Sequence, residues 1–300
     1  MSTLLAAVVG LLAGIHAATW GMYKDAPHEG FSRRKYARSP LLGLGLGVLL
    51  HALTGLGPGH AADLVVLFGV VYAVERALAE IYKTFLREED QSKYFIPMQF
   101  HILGRVVQHR GLRWLVGVLY TAGLVGIVVA VARLDLAATG AHALATVLLV
   151  GSLGGWISAL GGAWKDAPSE GFQTLKFFRS PALAALFAAG LSTLTPDLLL
   201  ITLAATGFTV ATTETYKTFF FPSKPRGKFA CMPVRYPDTL RLRLRFVPLY
   251  VAIWVAVLAA VIGAVRRSGG QAVGRSDVME RVCGERLGCE ENWSSQTGGR

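Results

Sequence analysis

Lys24-Asp-Ala-Pro-His-Glu-Gly-Phe31 returns in the second half of the chain as Lys165-Asp-Ala-Pro-Ser-Glu-Gly-Phe172. The match continues through Lys35/Lys176, Arg38/Arg179, Ser39/Ser180 and Pro40/Pro181, so eleven of these seventeen positions are identical at one offset. Further on, Glu80-Ile-Tyr-Lys-Thr-Phe85 is echoed by Glu214-Thr-Tyr-Lys-Thr-Phe219, and Lys93-Tyr94 by Lys228-Phe229. Three matched blocks in the same order mark an internal duplication, and each copy must then hold one full structural unit.

The material around these blocks is apolar. Hydrophobic residues make up 53% of the chain against 16% charged, and mean hydropathy is +0.46. A soluble domain would carry about a quarter charged residues, so the composition belongs to the membrane class. Apolar runs lie at Leu4–Tyr23, Leu41–Leu56, Leu64–Ile81, Trp114–Ala132, Ala141–Ala163, Ala182–Leu194, Leu198–Thr213 and Phe246–Val265. Turn formers at Gly55–Asp63 and Thr195–Asp197 join the second run to the third and the sixth to the seventh as tight hairpins of short helices. The expected architecture is an all-α polytopic membrane protein of about eight transmembrane helices. Four spans per copy is an even number, so both repeats enter the membrane in the same orientation. That makes two parallel four-helix repeats with pseudo-two-fold symmetry about the membrane normal. The first repeat covers residues 1–134 with its motif loop at 24–40, and the second covers 135–267 with its motif loop at 165–181. Residues 268–300 are polar, mixed in charge and without periodicity, and are expected to be a disordered tail.

Composition excludes several function classes. Three cysteines without a CxxC support neither a disulfide framework nor a zinc site, and no metal is expected. The apolar run at the N-terminus lacks a basic n-region and is as long as a full span, so it reads as a retained first helix. A net charge of +11 would point to nucleic acid in a soluble protein, but its distribution argues for lipid. Tyr23–Pro40, Lys83–Arg113, Lys165–Ser180 and Lys217–Arg245 hold 22 of the 30 lysines and arginines. The positive-inside rule places these four segments in the cytoplasm and both termini outside a cell membrane. The expected partners are the bilayer and a phosphate-bearing lipid headgroup, with no nucleic acid.

Proline and glycine within the block read as a helix end and a reversal, followed by a short interfacial helix at Phe31–Arg38 and Phe172–Arg179. Candidate binding residues come in duplicated sets: Lys24, Asp25, Glu29, Lys35, Arg38, Glu80 and Lys83, with Lys165, Asp166, Glu170, Lys176, Arg179, Glu214 and Lys217. Lysine and arginine suit phosphate, and basic loops also anchor to anionic lipid as a matter of course. What separates a pocket from an anchor is the fixed order of the block in both copies. Glu80–Lys83 and Glu214–Lys217 fit ordinary i,i+3 helix pairs and fit a polar path equally. Glu75 and Arg76 have no counterpart in the second copy, where Thr209 and Val210 stand. His16 and His51 are unduplicated and read as hydrogen-bonded helix residues. No P-loop, HExxH or nucleophile motif is present, no catalytic residue is assigned and no cofactor is indicated.

Three functions fit. The first is transport or flipping of an anionic, phosphate-bearing lipid or small metabolite. The second is an enzyme of phospholipid or polyprenyl-phosphate metabolism working at the cytoplasmic face, with the six duplicated carboxylates as acid–base groups. The third is a non-catalytic membrane scaffold. A polar path between the halves favours the first, and a closed bundle with clustered carboxylates favours the second.

Overall fold

A computed structural model describes residues 2–57, 59–222 and 227–287, with side chains as far as Arg267. The chain is helical: α1 (Ser2–Glu29), α2 (Arg33–Thr54), α3 (Ala61–Ile81), α4 (Arg110–Ala132), α5 (Ala143–Gly151), α6 (Leu153–Glu170), α7 (Thr174–Leu191), α8 (Leu198–Phe219), α9 (Thr239–Leu242) and α10 (Val247–Leu287). Among the described residues, six stretches are long and apolar enough to cross a membrane: α1, α2, α4, Ala137–Glu170, α8 and Thr239–Arg267. α3 and α7 are of comparable length, at 21 and 18 residues, and carry charges: Asp63, Glu75, Arg76 and Glu80 on α3, Lys176 and Arg179 on α7. The fifth expected span is two helices in series, broken at Ser152, whose hydroxyl donates back to the Leu149 carbonyl at 2.8 Å.

The centre is the pairing of α3 with α8, where Val66, Val70, Val71, Ile201, Ala204 and Ala205 are buried. Small residues set the separation. A Cβ on Gly207 would overlap the Gly69 carbonyl oxygen, so the two backbones touch. α1–α2 and α6–α7 flank this pair as two hairpins. α1 meets α2 through Gly10 and Gly14 against Gly43 and Gly47, the small-xxx-small arrangement of membrane helix pairs. A Cβ on Gly14 would overlap the Ser39 carbonyl oxygen, and one on Gly155 would meet that of Ser180 at 2.5 Å. The two glycines stand 141 positions apart, the offset at which the two sequence blocks match. α4 and α10 form part of the outside, with Leu115, Val118 and Leu119, and Val251, Val255 and Leu258, exposed. Apolar side chains facing outward carry no penalty in hydrocarbon.

Three sequence expectations are corrected. The block is not a loop, because α1 runs through Pro27 to Glu29 and α6 through Pro168 to Glu170. Proline removes only its own donor. In the first copy the carbonyl it would have served, that of Tyr23, accepts instead from the Arg243 guanidinium at 3.1 Å. The reversal comes at Gly30 and Gly171, both at positive φ, a left-handed conformation that costs glycine little. Second, Phe31–Arg38 and Phe172–Arg179 are not separate interfacial helices. α2 starts at Arg33, capped by Ser32, and α7 at Thr174, and both continue through their prolines into the membrane helix. Third, this extension makes α2 a helix of 22 residues rather than a short one. The backbone of α10 continues to Leu287, past Ser268 where the sequence reading ends the ordered chain, and residues 288–300 of that expected tail lie outside the described residues.

The basic segment after α3 covers the block at the end of α6, and the segment after α8 covers the block at the end of α1. The segment after α3 forms a small hairpin, β1 (His101–Ile102) with β2 (Arg105–Val106), and His101 and Phe100 stack on Trp164 beside Lys165. In return Arg235 and Tyr236 donate backbone N–H groups to the Pro27 carbonyl, and Phe229 stacks on His28.

Candidate functional site

The ends of α1, α3, α6 and α8 bring the duplicated charges together. Lys24 Nζ lies 3.6 Å from Glu214 Oε2, and Lys165 Nζ lies 3.9 Å from Glu80 Oε2. Lys24, in the first half of the chain, thus pairs with Glu214 in the second, and Lys165 with Glu80. Within each copy, Lys83 donates to Glu80 at 2.9 Å and Lys217 to Glu214 at 3.3 Å. Arg76 adds a cation from inside α3, donating to Glu80 at 3.1 Å with Glu75 at 3.7 Å. Among the described residues, five cations (Lys24, Arg76, Lys83, Lys165 and Lys217) thus face three carboxylates (Glu75, Glu80 and Glu214). Asp25 and Asp166 also act on Lys24 and Lys165, so the cluster is close to balanced and its cations are held in ion pairs. Lys83 stands beyond α3 in a π turn, Tyr82–Leu86. Burial disfavours a charged ammonium and pushes that of Lys83 down to about 8, against the pull of Glu80 and with added repulsion from Arg76 and Lys228.

The remaining block residues sit just outside this cluster. Lys176 Nζ bridges Asp166 at 2.6 Å and Glu170 at 2.9 Å. In the first copy Lys35 reaches only Glu29, at 3.2 Å, while Lys228 bridges Asp25 at 2.9 Å and Glu29 at 3.0 Å. The Arg38 guanidinium lies 5.7 Å from the centroid of the Tyr82 ring, and that of Arg179 lies 6.0 Å from the centroid of Tyr216. Both are within cation–π range. The fourteen residues singled out in the sequence therefore fall in one cluster or on its border.

A shallow cleft, a depression open on one side, lies between α6, α7 and α8 and encloses about 80 Å³. Its polar lining includes Asp166, Lys176, Arg179, Glu214, Lys217 and Thr213 together with Ser158, Gln173 and Ser180, and Phe172 and Phe177 supply apolar wall. Thr213 is 7% exposed and its hydroxyl has no hydrogen-bond partner among the described residues.

Two participants are hard to find in the sequence. Lys228 shows there only as an echo of Lys93, and its role depends on a contact across about 200 residues of chain. Arg76 has no duplicate to single it out. Deeper in the bundle, His16 is fully buried, within hydrogen-bond distance of the Tyr72 hydroxyl at 3.1 Å and stacked on Tyr250 at 4.1 Å. His51 bonds the Leu56 carbonyl within its own turn. Among the described residues no group of three or more potential metal ligands occurs. No family model, no curated protein and no solved structure matches this chain.

Proposed function

We propose that this chain is an integral membrane protein that captures a phosphate-bearing headgroup at one membrane face, in the cleft between α6, α7 and α8. The observation that carries this reading is the cleft itself, whose lining combines Lys176, Arg179 and Lys217 with Thr213, a buried hydroxyl that has no hydrogen-bond partner among the described residues. Arginine offers a bidentate fork to phosphate and lysine a point charge. The apolar wall at Phe172 and Phe177 suits a ligand with a hydrocarbon part. By the charge bias the charged end faces the cytoplasm. The two copies act as one site about a pseudo-two-fold axis, because each supplies the lysine that holds the other's glutamate.

Movement of the headgroup across the membrane would require α3 and α8 to part, since their seam is closed by Gly69, Ala204 and Gly207. The closed seam gives weight to a second reading, chemistry on the headgroup at the same face, with Asp166 and Glu214 as the available carboxylates.

Thermal stabilisation of the detergent-purified protein by a phospholipid panel tests the capture. A native-state ligand raises the melting temperature as its concentration rises above Kd. We expect phospholipids to stabilise and a neutral diacylglycerol not to. Arg179→Ala/Lys217→Ala should raise the half-maximal lipid concentration by about tenfold or more, as the loss of a charge-assisted phosphate contact implies. Equal stabilisation of wild type and variant would rule the cleft out.

A further inference from the structure

The duplicated block carries a second chemistry besides phosphate. Asp25 and Glu29, and likewise Asp166 and Glu170, are four residues apart and share one face of the last helical turn. In both copies that pair of carboxylates is bridged by a single ammonium, from Lys228 in the first and from Lys176 in the second. The adjoining helix C-terminus favours a cation there as well. Lys228 is further enclosed by the rings of Tyr94 and Phe229, at 5.0 and 4.7 Å, an aromatic setting that also suits an ammonium.

The two copies differ in how the clamp is filled. The first holds two lysines, because Lys35 stays on Glu29 while Lys228 bridges the pair. Among the described residues the second holds Lys176 as its one lysine, and the Gly227 backbone N–H donates to the other side of Glu170 at 3.3 Å. The sequence counterpart of Lys228 is Lys93, which remains on Glu89 of its own segment. The second clamp is also the one that borders the cleft, through Asp166 and Lys176. Thr213, whose buried hydroxyl has no partner among the described residues, lines that cleft together with Arg179 and Lys217, whereas the corresponding residue of the first copy is Ala79. One cleft thus presents acceptors for an ammonium next to donors for a phosphate.

We infer that the second copy's cleft takes a phosphoethanolamine headgroup. Its primary ammonium bridges Asp166 and Glu170, the position Lys228 fills in the first copy, and Lys176 moves aside onto Glu170 as Lys35 stands on Glu29. Its phosphate binds at Arg179, Lys217 and Thr213. This rests on the headgroup-capture reading and specifies its ligand. A quaternary ammonium cannot donate hydrogen bonds to the two carboxylates, and a glycerol headgroup carries no cation, so both bind more weakly through the phosphate alone.

The test is thermal stabilisation of the full chain in detergent by dioleoyl phosphatidylethanolamine, phosphatidylcholine, phosphatidylglycerol and free O-phosphoethanolamine. Each variant is compared with its own lipid-free melting temperature. Phosphatidylethanolamine should stabilise at about tenfold lower concentration than the other two lipids, a difference of one hydrogen-bonded charge contact. Asp166→Asn/Glu170→Gln should erase that preference. Asp25→Asn/Glu29→Gln should keep it, because Lys228 already occupies the first clamp. Thr213→Val should weaken phosphatidylethanolamine and phosphatidylglycerol alike. Stabilisation by free O-phosphoethanolamine at matching concentration would identify a soluble ligand of the same chemistry. Equal response to the three lipids, or a preference that survives Asp166→Asn/Glu170→Gln, overturns the clamp and leaves phosphate capture standing. No response to any phospholipid overturns both.

Discussion

Gly207→Val is expected to destabilise the folded protein by about 3 kcal/mol or more, at the upper end of overpacking costs. The first added carbon would overlap the Gly69 carbonyl oxygen and stand 3.1 Å from the Ala73 nitrogen. Both are backbone atoms, so no side-chain rotation relieves the collision and α3 must move away from α8. That movement opens the most buried layer of the protein, where Val70, Val71, Ile201, Ala204 and Ala205 are each 0% exposed. Lipid cannot enter a space that narrow, so the dispersion attraction forfeited across it is not recovered. Gly123→Val on the outer helix α4 is the matched control, since a Cβ there meets nothing within 4 Å. Thermal unfolding in the same detergent should show a large fall for Gly207→Val and little change for Gly123→Val. Equal curves would mean the seam is looser than its backbone contacts imply.

The duplicated blocks are legible in the sequence because identity at a fixed offset needs no structural knowledge. The membrane class is legible from composition. What stays hidden there are relations between the copies. Nothing in Lys24 or Glu80 says that each pairs with the opposite repeat, because a local Glu–Lys spacing of three residues offers a sufficient partner nearby. The helix limits fail at Pro27 and Pro168 for a different reason. The rule against proline assumes that the freed carbonyl goes unserved, and here Arg243, 220 residues away, serves that of Tyr23. Lys228 is hidden in the same way, since its partners Asp25 and Glu29 belong to the other copy.

The closed α3–α8 seam also shapes what the site can be. Tyr72, His16 and Trp20 form a hydrogen-bonded group behind the charged cluster, with the Trp20 indole donating to the Tyr72 hydroxyl at 2.8 Å. Beyond them the seam packs mainly apolar side chains, and the buried α8 hydroxyls of Thr202 and Thr209 donate back to carbonyls of their own helix. Under the proposed function, a headgroup in the cleft faces the closed α3–α8 seam, and its binding stays at one end of the bundle.

In the function proposed, the two copies build one site by exchanging charges, and reversal of one exchanged pair tests this most directly. Lys24→Glu places a second carboxylate beside Glu214, and Glu214→Lys places an ammonium against Lys24 and Lys217. Removing a partner from a buried pair costs about 3–5 kcal/mol. Lys24 and Glu214 are 24% and 15% exposed, so we expect each single change to cost about 2 kcal/mol after solvent screening. The double variant Lys24→Glu/Glu214→Lys restores the attraction in reverse and should recover about 1–2 kcal/mol of the summed loss, within the range measured for residues in contact. Recovery of that size, read from the melting curves of the four proteins, is the expected result. Strictly additive losses would show that Lys24 and Glu214 do not meet, and that the two copies carry separate charges with no shared site.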